Sequence, residues 1–168
     1  GKLASGGLLR VLRASQIGNQ GGQLVSQGLM NLNIGSLDNR NRGTVAANGS
    51  LLLTSSGAVL NSGDGLIYSQ TANVQLQAAS LANANGTLQS QGALGVNVTG
   101  DIDNQNGRII AQNGDLSLGA TNLDSRGGVL SSLLGAFIAR MNGVLKNGYN
   151  LNRQGGVVQA QRLDLAAL

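Results

Sequence analysis

One phrase recurs eight times along the chain at a period near 21 residues, and it constrains the fold more than any other feature. Its clearest copy, Ile102–Leu118, reads I-D-N-Q-N-G-R-I-I-A-Q-N-G-D-L-S-L. Aligned on the apolar residue that follows a turn glycine, the copies are Leu3, Leu24, Val45, Ile67, Leu88, Ile109, Leu130 and Val158, spaced 21, 21, 22, 21, 21, 21 and 28 residues apart. A small residue stands two positions later each time: Ser5, Ser26, Ala47, Ser69, Ser90, Ala111, Ser132 and Ala160. A self-similar period of this length marks a stack of supersecondary units, none of which buries its apolar face alone.

Within a copy the apolar period is two, the signature of a strand with one buried face. The first inward pair is Leu24/Ser26, Val45/Ala47, Ile67/Ser69 and so on, and the second is Met30/Leu32, Leu51/Leu53, Val74/Leu76, Leu94/Val96, Leu116/Leu118 and Leu163/Leu165. A third inward position opens the next turn at Ile17, Leu37, Leu60, Leu81, Ile102, Leu123 and Leu151. Three short strands per copy without a helix between them predict an all-β parallel β-helix, a solenoid of about eight turns. Strands about 4.8 Å apart make that a rod of about 38 Å. The leucine-rich repeat and the calcium-binding nonapeptide share the solenoid principle, but their patterns do not fit these copies.

Asn19, Asn39, Asn61, Asn83, Asn104 and Asn152 each follow the third inward position, and Ser125 replaces the asparagine in the seventh copy. Asparagine suits a turn because it bonds neighbouring amides, and stacked one per turn such side chains can form a ladder. That structural role outweighs metal or sugar binding by the row. The recurring Gly22, Gly43, Gly65, Gly86, Gly107, Gly128 and Gly156 read as turn positions that need positive φ.

Composition enters as a set of exclusions. The chain has neither Cys nor His, so most nucleophilic, redox and transition-metal chemistry is out of reach, and no cofactor or metal is expected. Its apolar runs are too short to span a membrane, so no membrane insertion is expected. Eleven Lys and Arg against seven Asp give a formal charge of +4, but the basic residues are scattered and aromatics are 2%. Nucleic acid is therefore not an expected partner. Asp103 and Asp124 fall at one position of consecutive copies and are the only pairing that resembles a glycosidase carboxylate pair, a remote reading with no aromatic sugar platform. Arg40, Arg126 and Arg153 share the position just after the asparagine, which predicts a short basic edge.

At Leu37-Asp38-Asn39, Gly43-Thr44-Val45-Ala46-Ala47 and Gly49–Leu53 the sequence resembles the haemagglutinin repeat of filamentous haemagglutinins. Ile102-Asp103-Asn104 through Leu118 and Leu123-Asp124-Ser125 through Ser132 carry the same L-D-N-x-x-G-x-[ILV]-x-[AS] core. The resemblance implies a right-handed coil, in agreement with the usual crossover hand. It also implies a large Gram-negative exoprotein, exported by two-partner (type V) secretion through an outer-membrane transporter. Such exoproteins are displayed at the cell surface or secreted, and they include adhesins and the proteins of contact-dependent growth inhibition. On this reading residues 1–168 are one repeat segment of a longer exoprotein. Their expected function is that of a non-enzymatic stalk holding distal modules away from the cell. The repeat is structural, and the resemblance transfers no catalytic residue.

The spacing of 28 marks an interruption, expected at 137–150 and bringing the region 133–150 under suspicion of a short helix or a loop. Leu134, Phe137, Ile138, Met141, Val144 and Leu145 fall at helical spacing; alternatively Phe137, Ala139 and Met141 keep strand alternation, with a loop only at Asn142–Asn150. Insertions in solenoids often lie on the binding face. Phe137, Arg140, Met141, Lys146 and Tyr149 are accordingly the candidates for recognising a cell-surface receptor or glycan, the alternative to the stalk.

Overall fold

The computed structural model describes residues 1–167, which are all strand, turn and bend with no helix. Strands a copy apart pair in parallel, giving sheets of eight, eight and seven strands and about seven full turns of a parallel β-solenoid. In the first sheet the register links Leu3, Leu24, Val45, Ile67, Leu88, Ile109, Leu130 and Val158, the eight aligned positions of the repeat. In the second it links Leu9, Met30, Leu51, Val74, Leu94, Leu116, Phe137 and Leu163.

Alternation decides which face is dry. In Leu51–Ser55 the residues 51, 53 and 55 are buried while Leu52 and Thr54 point outward. Leu, Ile and Val of the three sheets thus meet in one continuous core running from Leu9 to Met141. The small residue of each copy sits at the bend into the second sheet, where serine replaces an apolar contact by a hydrogen bond. Ser69 Oγ donates to the Gly49 carbonyl at 2.7 Å, and Ser132 Oγ donates to that of Gly114 at 2.8 Å. Ser26, Ser69, Ser90 and Ser132 each send such a bond to the preceding turn, while Ser5 bonds the Leu8 carbonyl of its own turn, so the buried hydroxyls are paired.

Two expectations need correction, and one alternative is decided. The third inward position of the third copy is Val59, fully buried and in register with Leu37, while Leu60 pairs with Asp38. The segment 136–141 is strand, not helix: Ala136–Met141 pairs with Leu116–Ala120 on one side and Arg162–Ala167 on the other. Two flanking strands offer its backbone a complete ladder of hydrogen bonds, and the 0% exposure of Phe137 shows the apolar gain of that arrangement. The last third-sheet strand is Leu145–Lys146, paired with Leu123–Asp124, so Leu151 is not an inward residue. The extra residues therefore form a hairpin over 147–156 instead of an insertion at 137–150.

Candidate functional site

The corner between the third and first sheets carries the polar residues that recur. Asn19 Nδ2 donates to Asn39 Oδ1 at 2.7 Å, and Asn39, Asn61 and Asn83 each donate to the next asparagine at 2.8 Å. Asn104 Nδ2 ends the run on Ser125 Oγ at 3.0 Å. The amide's second hydrogen goes to a main-chain carbonyl of the next turn, such as Thr87 O from Asn61 and Val129 O from Asn104. Asn39, Asn61, Asn83 and Asn104 are fully buried, which such complete pairing permits. Asn152 is not part of the row. It lies exposed in the hairpin, and Asn147, directly after Leu145-Lys146, occupies the stacked position.

The glycine four or so residues on from each asparagine is required for a different reason from the one expected. None of Gly22, Gly43, Gly65, Gly86, Gly107, Gly128 and Gly156 has positive φ. The left-handed residue stands just before: Gly21, Arg42, Asp64, Asn85, Asn106 and Gly127. That is the third position of the turn, which favours Gly or Asn. The following glycine instead makes room for the ladder. A Cβ on Gly65 would lie 2.5 Å from Asn39 O, Asn61 O and Asn61 Oδ1, and Gly107 and Gly128 are as crowded by Asn83 O and Asn104 O.

Outside this corner lie the charged side chains. Arg40 grips Asp38 with two bonds, Nε to Oδ1 at 2.9 Å and Nη2 to Oδ2 at 2.7 Å, and Arg126 grips Asp124 likewise at 3.0 and 2.7 Å. These guanidinium bonds hold the Asp38 carboxyl well below the usual carboxylate range against the opposing effect of burial, with Gln20 adding a further donor. Asp124 is lowered in the same way, by Arg126 first. Arg153 does not share this position; it lies exposed in the hairpin, so no basic edge runs along the three arginines. Asp103 and Asp124 are register neighbours across adjacent turns. Asp103 Oδ1 accepts the Gln105 amide and Asp124 is held by Arg126, an arrangement of turn caps. Together with Asp101 and Lys146 they line a shallow groove. Among the described residues no cluster of three His, Cys, Asp or Glu side chains is placed to hold a metal.

The five recognition candidates do not converge. Phe137 and Met141 are buried in the core and cannot reach a partner. Arg140 lies on the outer face of the second sheet, bound to Asp164 at 2.9 Å. Lys146 lines the groove, and only Tyr149 of the five is in the hairpin, 72% exposed. Leu151 beside it is fully exposed, and its fit to the apolar repeat pattern concealed it from the sequence reading. The hairpin is ordered by its own bonds. Tyr149 bridges Gly155, and Asn150 Oδ1 accepts the amides of Asn152 and Gln154 at 2.9 Å. Asn150 Nδ2 reaches back to Asn106 Oδ1, which lays the hairpin against the flank of the rod.

These features define a parallel β-solenoid whose recurring polar groups are spent on joining one turn to the next. The haemagglutinin repeat matches residues 4–63, 69–107, 90–136 and 135–167, and the chain belongs to that family, whose repeats are structural repeats of adhesins. Comparison with curated proteins and with solved structures gives no match.

Proposed function

We propose that this segment is a stiff stretch of the stalk of an extracellular, adhesin-like exoprotein. The observation that supports it is the unbroken register: each inward side chain from Leu3 to Leu130 has its counterpart one turn on. A side chain engaged in stacking is not available to chemistry, so the segment acts by its length and stiffness and not as an enzyme. The family supports a secreted or surface-exposed setting; export by a two-partner transporter in a Gram-negative cell, and a parent that is either an adhesin or a contact-dependent inhibition protein, are part of the same proposal. The absence of cysteine agrees with such export, since a periplasmic disulfide would obstruct threading.

The hairpin favours a second reading, a receptor- or glycan-binding feature, because it exposes Tyr149 and Leu151 on an ordered frame. One experiment separates the two. Labelled protein is titrated onto intact bacterial and epithelial cells beside a variant whose residues 148–155 are replaced by a tight turn. A stalk gives no saturable binding in either form. Saturable binding that vanishes with the hairpin establishes the second reading, and saturable binding that survives its replacement sinks both by moving adhesion to the rod's flank.

A further inference from the structure

Asparagine before glycine is where a peptide nitrogen most readily attacks the preceding side-chain amide, because glycine has no Cβ to hinder the approach. The chain holds this pair at Asn48-Gly49, Asn85-Gly86, Asn106-Gly107, Asn113-Gly114, Asn142-Gly143 and Asn147-Gly148. The fold divides them by the state of the glycine nitrogen. Gly49 N is bonded to Gly28 O at 3.0 Å, Gly86 N to Asn83 O at 2.9 Å and Gly107 N to Asn104 O at 3.0 Å. To react, each of these nitrogens must first abandon a hydrogen bond of the stack or of its turn. Among the described residues Gly114, Gly143 and Gly148 find no backbone hydrogen-bond acceptor.

The side chains divide the second group again. Asn147 has its Oδ1 buried without a partner and its Nδ2 directed at Gly156 O, so its amide must leave the ladder position before it can be attacked. Asn113 and Asn142 are exposed, at the corners that enter and leave the second sheet, and none of the hydrogen bonds of the described residues involves their side-chain amides. Both also keep negative φ, unlike Asn85 and Asn106.

The geometry points to Asn113 and Asn142 as the two sites of self-catalysed deamidation in the folded protein. The glycine nitrogen gives its proton to solvent base and forms a bond to the asparagine Cγ; the Cγ–Nδ2 bond breaks, and the departing amino group takes one proton from solvent and leaves as ammonia. The resulting five-membered succinimide takes up one water at either carbonyl, yielding aspartate or isoaspartate, with no oxidant or reductant required. Conversion at both sites halves the formal net charge of +4. It places new carboxylates at two corners of the rod, and the isoaspartate form also adds a backbone atom there.

The test is incubation of the folded chain in mildly alkaline heavy-oxygen water, followed by peptide mapping that resolves aspartate from isoaspartate. Loss of one hydrogen bond makes a difference of roughly ten-fold in rate, so Asn113 and Asn142 should take up label roughly ten-fold faster than Asn48, Asn85 and Asn106. In denaturant the six pairs should react at similar rates, which shows that the fold imposes the difference. The double variant N113Q/N142Q should lose the acidic shift on isoelectric focusing. Equal labelling of the bonded and unbonded pairs in the folded chain would overturn the assignment. So would a folded chain in which Asn113 and Asn142 stay unlabelled while the denatured one reacts.

Discussion

Asn61 gives one amide hydrogen to Asn83 Oδ1 and the other to Thr87 O, while its own Oδ1 receives Asn39 Nδ2. Alanine there removes all three bonds and leaves Asn83 Oδ1 without its donor, and the Thr87 carbonyl with one bond fewer, in a site of 0% exposure. An unsatisfied buried polar group costs about 1–3 kcal/mol, so Asn61→Ala should destabilise by about 3 kcal/mol in urea unfolding. The reverse experiment is at Ser125, whose hydroxyl accepts from Asn104 but leaves the buried Asn147 Oδ1 without a donor. Ser125→Asn supplies that donor and should raise stability by about 1 kcal/mol. A fall in the urea midpoint would show that position 125 has no room for the amide. The asparagine spacing could be read from the sequence because every copy repeats it. The reason for the glycines could not: a recurrent glycine looks alike whether φ or a neighbour's oxygen demands it, and the oxygens that crowd Gly65 belong partly to Asn39, a whole turn away.

At the scale of the element, the seventh copy shows what decides between competing periods. Leu134, Phe137, Ile138, Met141 and Leu145 would line one face of a helix as well as Phe137, Ala139 and Met141 line a strand. The tie is broken by Leu116–Ala120 and Arg162–Ala167, which pair with this segment from either side, a tertiary cause that a local pattern cannot contain. The place of the insertion, by contrast, was legible locally: Leu145-Lys146-Asn147 keeps the repeat's L-x-N phrase and takes the stacked places, whereas Leu151-Asn152 lacks the middle residue. Because the hairpin closes on itself, shortening it should leave the solenoid intact. Replacing 148–155 by a tight turn should change the unfolding free energy by under about 1 kcal/mol, the scale of loop-closure entropy for a change of this size. A large loss would mean that the bond from Asn150 to Asn106 is a structural tie. The turn clamps carry a pH signature instead. Asp38 and Asp124 titrate lower in the folded chain than unfolded, through Arg40 and Arg126. Their stabilisation is therefore complete above the unfolded carboxylate range near pH 4 and is lost as pH falls through the lower folded values. Wild type should lose its melting-temperature advantage over the variant R40Q/R126Q on acidification. An advantage that persisted at the lowest pH would assign it to packing of the arginine stems.

For the whole molecule, stability is a sum over turns and the interfaces between them, since each turn touches only its neighbours. Such a rod does not open uniformly. A central turn such as 87–107 is covered on both sides and linked in both directions through Asn104, which accepts from Asn83 and donates to Ser125. The last turn has none of these advantages. Leu163 and Leu165 are about half exposed, and the ladder that would tie the turn to its neighbour stops at Ser125. The 147–156 hairpin further separates its third-sheet strand from its first-sheet strand, so their contacts are joined by a longer chain. Amide hydrogen exchange follows local opening free energy, which spans nearly zero to the global value within one protein. Exchange should be fastest in Val157–Gln159 and Arg162–Ala167, slowest in Thr87–Val98 and Arg108–Ala120, and graded between them instead of stepped. Protection should extend into the last turn when Ser125→Asn continues the ladder, with the N-terminal strands Lys2–Ser5 and Leu9–Ala14 unchanged as an internal reference. A single uniform exchange rate across all turns would mean that the rod unfolds as one unit, and the additive account of its stiffness would fail.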